Sequence, residues 1–279
     1  MGPGGVGGTI AALAHKSGID VEVVATPSTA RTITARGLSL RSAQFGTMRV
    51  PMTARLAPTP GSSVILATKS YTLPSIADSV RASAPREIIS LFNGLSHVDT
   101  VHALPAERVT CGSIRIVAER ISPGEIVHHS AFAAIDVEER AAEWEAVSML
   151  RAAGIALTAA GSETDVLWRK LRFLAPMALL TAAAGKPLGE ALAGSEQLVA
   201  EVAAIATASG QRTEPEEIMS SLRRAGEDSL SSLARDVEAG RPTELDALGY
   251  DLLRRAGELG IAVPAIAEAI AAIEKRIRP

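Results

Sequence analysis

Over roughly the first 160 residues, apolar runs of strand length alternate with stretches of helical spacing. Val21–Ala25 is the first such run. A polar turn over Thr26–Thr29 follows, then a helix over Ala30–Arg36 that Gly37 closes. Leu38–Leu40 and Met48–Met52 predict short, partly exposed strands. Ser63–Thr68 predicts a buried strand, followed by Lys69 and a helix over Leu73–Ala84. Glu87–Phe92 predicts another strand, ending in Asn93-Gly94. Val109–Val117 and Glu125–His129 are candidates to pair across Pro123-Gly124, and Ala131–Val137 adds a strand. A helix over Ala141–Ala153 ends at Gly154. Alternating β and α signals of this kind predict a largely parallel sheet with helices on both faces.

The stretch Gly2–Gly8 opens this pattern. It spells Gly-x-Gly-x-x-Gly at Gly2, Gly4 and Gly7, and an apolar helical run follows at once at Ile10, Ala11, Leu13 and Ala14. A loop of this kind lets backbone approach a pyrophosphate, which then rests on a helix N-terminus where free N–H groups favour anions. The fingerprint calls for a strand before the loop, and only Met1 stands there. The expected first half is therefore an α/β, Rossmann-type domain lacking its first strand. A chain extended by about six residues is expected to be more stable, because a missing central strand exposes its neighbours' backbone groups.

From Glu163 the pattern changes to long alanine- and leucine-rich helical runs. They are Glu163–Ala184, Ser195–Ala208, Pro215–Ala239, Glu244–Leu259 and Ala265–Ile277. Gly161-Ser162 marks the expected boundary, giving an N-terminal domain over 1–162 and an all-α C-terminal domain over 163–279.

Composition narrows the function. The 279 residues are 47% hydrophobic and 21% charged with net charge -3, which gives no electrostatic support for nucleic-acid binding. A single cysteine, Cys111, excludes an internal disulfide and fits a reducing cytoplasm. The five histidines show no metal-ligand spacing, so no metal is expected. No secretory signal is visible, and the apolar run Ala178–Ala184 is too short to span a membrane.

In chain order, further phrases follow the glycine loop. They are Thr68-Lys69-Ser70-Tyr71, Asn93-Gly94, Ala118 with Pro123-Gly124 and His128, and Leu167-Trp168-Arg169-Lys170-Leu171. Ser231-Ser232, the phrase from Gly240 to Asp246 (Gly-Arg-Pro-Thr-Glu-Leu-Asp) and Glu258–Pro264 complete them. With these in place the whole chain resembles the ketopantoate reductase (2-dehydropantoate 2-reductase) family. The resemblance implies NADPH-dependent reduction of a 2-oxo acid, ketopantoate to pantoate in pantothenate biosynthesis, by a cytoplasmic enzyme. It leaves room for a homodimer.

The resemblance also assigns roles. Lys170 matches the family's catalytic lysine, whose ammonium would stabilise and protonate the oxygen that receives negative charge. Glu244 matches the motif glutamate and Ser232 the substrate-binding serine, on a position read as mid-helix. Gly2, Gly4, Gly5, Gly7, Lys69, Asn93 and Ala118 would touch the cofactor, and Asn93 the substrate as well. Cofactor choice rests on the segment after Val21–Ala25. It holds no acidic residue to favour NAD, and Arg31 is a candidate for the 2′-phosphate of NADP.

One departure stands out. The family's substrate-lining asparagines, one and two turns beyond the lysine, are here Leu174 and Ala178. Losing two amides at roughly 1.5–3 kcal/mol each weakens a polar substrate's grip. A more apolar 2-oxo acid is the alternative substrate, and an inactive nucleotide-binding remnant is the alternative to an enzyme.

Overall fold

The computed structural model describes residues 1–277. It divides into two compact units, Met1–Phe92 with His97–Val166, and Asn93–Ser96 with the chain from Leu167 onward. The division falls inside a helix, four residues beyond the Gly161-Ser162 break, and it gives the short Asn93–Ser96 segment to the helical unit.

In the first unit the strands are β1 (Glu22–Val24), β2 (Leu38–Ser42), β3 (Gly46–Val50), β4 (Thr53–Arg55), β5 (Ser63–Leu66) and β6 (Glu87–Ser90). They continue as β7 (Arg108–Cys111), β8 (Ser113–Arg115), β9 (Ala118–Ser122), β10 (Glu125–His128), β11 (Ala134–Val137) and β12 (Ala156–Ala159). The helices are α1 (Gly5–Lys16), α2 (Pro27–Arg36), α3 (Leu73–Ser83), α4 (Val98–His102) and α5 (Glu145–Ala152).

The strands pair largely in parallel, as expected, but in four smaller groups rather than one sheet, and three pairings are antiparallel. β5-β6-β7 and β1-β4 are parallel, while β3-β2-β10-β9 and β12-β11-β8 each combine both directions. In β3-β2-β10-β9 the cause is loop length, because β2 and β3 are joined by three residues and β9 and β10 by Pro123-Gly124. Such links permit only antiparallel neighbours. Between β1 and β5 stand Met1 and Gly2. Ala67 donates its N–H to the Met1 carbonyl at 3.1 Å, and Gly2 donates to Val24 at 3.0 Å.

Two readings of the sequence need correction here. Val109–Val117 is not one strand, since the chain leaves one sheet at Gly112 and enters another. The strand that pairs with β10 across Pro123-Gly124 is Ala118–Ser122. Its residues are mostly exposed, so hydrophobicity gave no signal for it. The turn assigned to Thr26–Thr29 is the start of α2, with Pro27 at the first helical position, where a missing N–H costs nothing. The core packs Ile10 and Leu13 of α1 with Leu38 and Leu40 of β2 and Ile126 of β10. Leu38 and Leu40 share a face by the period-2 rule.

The second unit is helical. α6 (Glu163–Ala184) begins in the first unit and runs unbroken past Pro176. It is followed by α7 (Leu188–Ala191), α8 (Glu196–Ala208), α9 (Pro215–Arg224), α10 (Ser232–Glu238), α11 (Asp251–Leu259) and α12 (Pro264–Ile277). The single helix read over Pro215–Ala239 is two. Ser231 caps the second by accepting the Ala234 N–H at 3.0 Å, a competition with the helix interior that serine wins at an N-terminus. One wider π turn, Asp246–Tyr250, leads into α11. Leu171, Leu179, Val202, Ile205, Leu248, Leu252 and Ile270 fill the core. No described helix is long and apolar enough to cross a membrane.

Candidate active site

Within the helical unit, Lys170 lies in the second turn of α6 and donates from Nζ to Asn93 Oδ1 at 2.8 Å. The same amide donates from Nδ2 to Glu244 Oε2 at 3.2 Å. An ammonium, an amide and a carboxylate thus form one chain. Glu244 is only 4% exposed, which makes its hydrogen bonding a requirement of burial.

Asn93 is delivered by a tight turn. Gly94 has φ +82°, and a Cβ there would run into the carbonyl oxygen of Ala247 and come within 2.6 Å of Asp251 Oδ2. The turn therefore lies directly against the helix that follows Glu244. Asp251 Oδ2 accepts the N–H groups of Leu95 at 2.8 Å and Ser96 at 3.0 Å, and its other oxygen pairs with Arg254. Sequence reasoning missed Asp251. Its signal is an acid on an apolar helix face, one turn from Ala247 and beside Leu248 and Leu252.

In the first unit the glycine loop enters α1 with Gly4 as the residue before the helix. No side chain caps that end, and its first turn carries no acid. A Cβ on Gly2 would meet Thr68, one on Gly5 the Ala118 carbonyl, and one on Gly7 the Gly2 carbonyl. Those three glycines are required by the protein's own packing. Gly4 differs, since a Cβ there would have nothing within 4 Å. Bare backbone at an uncapped helix N-terminus fits a pyrophosphate.

The ketopantoate reductase PanE/ApbA family model matches residues 1–141, and the model of that family's C-terminal part matches residues 162–276. The chain belongs to the ketopantoate reductase family. It is 31% identical to the 2-dehydropantoate 2-reductase of Caulobacter vibrioides, over 97% of this chain and 96% of that one. The PanE/ApbA family ketopantoate reductase from Ralstonia eutropha JMP134 superposes with a TM-score of 0.89 at 25% identity, covering 99% of this chain and 97% of the other. A D-mandelate dehydrogenase solved with NADH and anilino(oxo)acetate shares the fold, with a TM-score of 0.89 at 17% identity, covering 99% of this chain and 96% of that one.

As a member of the ketopantoate reductase family, an oxidoreductase family, the chain brings Asn93, Lys170 and Glu244 together. Ser232 is the half-buried first residue of α10, not a mid-helix position, and it is its neighbour Ser231 that bonds to Thr181 at 2.8 Å. Leu174 is half-buried one turn beyond Lys170. Ala178 is fully buried in the helical core and so has no surface to offer a ligand. In the first unit Lys69 follows β5 and Ala118 lies against Gly5, while Arg31 is exposed in the middle of α2.

His102, Cys111 and Glu163 bring ligand-type atoms within 4.8 Å of one another, a grouping that chain spacing did not announce. His102 Nε2 and Glu163 Oε2 are 2.9 Å apart, closer than two ligands held about 2.1 Å from one ion in tetrahedral geometry. The carboxylate also accepts the Cys111 N–H, so the group is a hydrogen-bonded end to α6. Burial, and then the Glu163 carboxylate, push the Cys111 thiol far above its ordinary value.

Proposed function

We propose that the protein reduces a 2-oxo acid to its 2-hydroxy acid with NADPH, as in the conversion of ketopantoate to pantoate. The Lys170–Asn93–Glu244 chain carries this reading. When bound, the nicotinamide supplies a hydride to the carbonyl carbon. The remaining work falls to residues of this chain. The Lys170 ammonium faces the oxygen that gains negative charge, lowers the barrier electrostatically and gives it a proton, so the oxygen ends as a hydroxyl. The amine regains its proton from solvent. Asn93 fixes the direction of the ammonium by accepting one of its N–H bonds, and Glu244 fixes Asn93. Ser232 is suited to hold the substrate carboxylate.

NADPH, rather than NADH, is supported by the segment after β1. Residues 25–29 contain no acid to repel a 2′-phosphate, and Arg31 follows on α2. Steady-state oxidation of NADPH with a panel of 2-oxo acids tests the proposal. Turnover with NADPH favoured over NADH is expected, and binding of NADPH without turnover of any 2-oxo acid would overturn it.

Within that reading, Leu174 favours an apolar substrate over ketopantoate. It stands on the face of α6 that carries Lys170, where an amide would grip a hydroxyl. The shared fold of the D-mandelate dehydrogenase that holds anilino(oxo)acetate is consistent with such a substrate, as an analogy of fold. A higher kcat/KM for branched or aromatic 2-oxo acids than for ketopantoate is expected. The reverse ranking would restore ketopantoate.

A further inference from the structure

We infer that Asp251 is a positioning residue, one that sets where the Asn93 amide stands by fastening the turn Asn93–Ser96 to the helical stretch that directly follows Glu244. The inference rests on the proposed reductase reading for its kinetic consequence and on geometry for its existence. Three points meet that turn, Glu244 just before the helical stretch and Ala247 and Asp251 within it. Glu244 accepts from Asn93, the Ala247 carbonyl lies against Gly94, and Asp251 accepts from Leu95 and Ser96. Every residue of the turn therefore has a partner on this stretch, with Leu95 and Ser96 sharing Asp251.

Burial makes the arrangement specific. The Asp251 side chain is 3% exposed. A carboxylate so enclosed is costly unless its oxygens are bonded, and here one oxygen takes two backbone amides while the other takes Arg254. An apolar residue would bury as well between Leu248 and Leu252. What the carboxylate adds is two charge-assisted bonds to the peptide units just beyond Asn93. Gly94 removes the alternative of a bulkier turn held off the helix. With the turn fixed at 94–96, the Asn93 side chain needs only its own rotamer to span Lys170 and Glu244.

The consequence is kinetic. A shift of about 1 Å in Asn93 changes the direction of the Lys170 ammonium, and misplacements of that size cost up to about 100-fold in rate. Asp251→Leu keeps the branched shape of the side chain, though not its volume, and removes both acceptors. It is expected to lower kcat for the best 2-oxo acid about 10- to 100-fold, with KM and the NADPH dissociation constant within about 3-fold of wild type. Asp251→Asn, which retains one carbonyl oxygen, is expected to recover most of that loss. In an Asn93→Ala background, Asp251→Leu is expected to cost nothing further, because its effect passes through Asn93. Wild-type kcat in Asp251→Leu, or losses that simply multiply in the double variant, would overturn the inference.

Amide hydrogen exchange gives a readout independent of turnover and of whether Asp251→Leu folds. Leu95 and Ser96 are expected to be protected in the wild type, and Asp251→Asn is expected to exchange faster at these two amides than elsewhere in the helical unit. Fast exchange at both in the wild type would overturn the clamp, whatever the enzyme turns over. A wild type inert toward every 2-oxo acid, yet protected at both amides, would overturn the reductase reading and leave the clamp standing.

Discussion

Lys170 and Glu244 are joined through the two ends of a single amide, the Asn93 oxygen toward the ammonium at 2.8 Å and the nitrogen toward the carboxylate at 3.2 Å. The amide's orientation follows from its partners, since an ammonium only donates and a carboxylate only accepts. Through the amide oxygen, Asn93 helps to hold Lys170 in one direction.

Lys170→Ala is expected to reduce kcat by about 100- to 10,000-fold, the range for a lost general acid. Lys170→Arg is expected to rescue little, because a planar guanidinium neither gives up a proton nor fits the same bond to Asn93. Lys170 is half-buried and outside the hydrophobic core, so thermal melting should shift by only a few degrees. Steady-state kinetics and a melt on the same preparations decide it. A loss smaller than about 3-fold in Lys170→Ala would remove the lysine from the reaction.

Two glycines of the N-terminal loop should separate binding from folding. Gly4 has φ -81°, and a Cβ added to it would stand in open space with no atom within 4 Å. Alanine therefore fits the fold, and stability is expected to hold or rise by about 0.4–1 kcal/mol. On the proposed function NADPH affinity should nevertheless fall, because the methyl group would occupy the space proposed for the phosphate oxygens beside bare backbone. Gly5→Ala drives a Cβ into the Ala118 carbonyl and is expected to destabilise by about 1–3 kcal/mol. Cofactor titration and chemical denaturation of both variants test the contrast. Unchanged NADPH affinity in Gly4→Ala would place the pyrophosphate elsewhere.

The sequence was most legible where one signal persisted. α6 matches its expected bounds because alanine and leucine recur over all 22 residues, and Pro176 did not interrupt it. β4, β9 and β12 escaped because three- to five-residue strands with exposed positions carry little periodicity. The Lys170 and Glu244 positions were legible only through motif resemblance. Their connection through Asn93 joins residues 77 and 151 positions apart, and local pattern says nothing about such pairs. Asp251 was hidden for the same reason, since its partners lie 155 and 156 residues away. Glu201 repeats the theme inside the helical core, where an acid in an apolar helix reads as an error until its partners are seen.

Glu201, on α8, accepts the Ala265 N–H at 2.9 Å and the Ile266 N–H at 2.8 Å, first-turn donors of α12 that no carbonyl of that helix can reach. Pro264 already removes one donor at that terminus. Glu201→Ala leaves the Ile266 amide buried without its acceptor and is expected to cost about 2–4 kcal/mol. Glu201→Gln keeps one acceptor oxygen and should cost about half as much. Urea denaturation with an unchanged m-value would measure this, and a loss below about 0.5 kcal/mol in Glu201→Ala would mean that α12 is held by its apolar face alone.

Cys111 offers a prediction in pH. Burial, and then the neighbouring Glu163, raise its thiol well above the ordinary value in the folded chain. On unfolding, the thiol returns to a value near about 8.5. Above about pH 8.5 the unfolded chain therefore binds fewer protons than the folded one, and stability falls as pH rises. The contribution is complete below that pH and is lost by up to about 1.4 kcal/mol per pH unit above it. Comparing wild type with Cys111→Ala between about pH 8 and 10.5 isolates the thiol from other groups that titrate in the same range. The wild type should lose stability more steeply, and it should resist iodoacetamide at about pH 8 until denaturant is added, because the buried thiol is neither ionised nor accessible. Parallel pH profiles, or rapid alkylation of the native protein, would show that the thiol is not held protonated in this way.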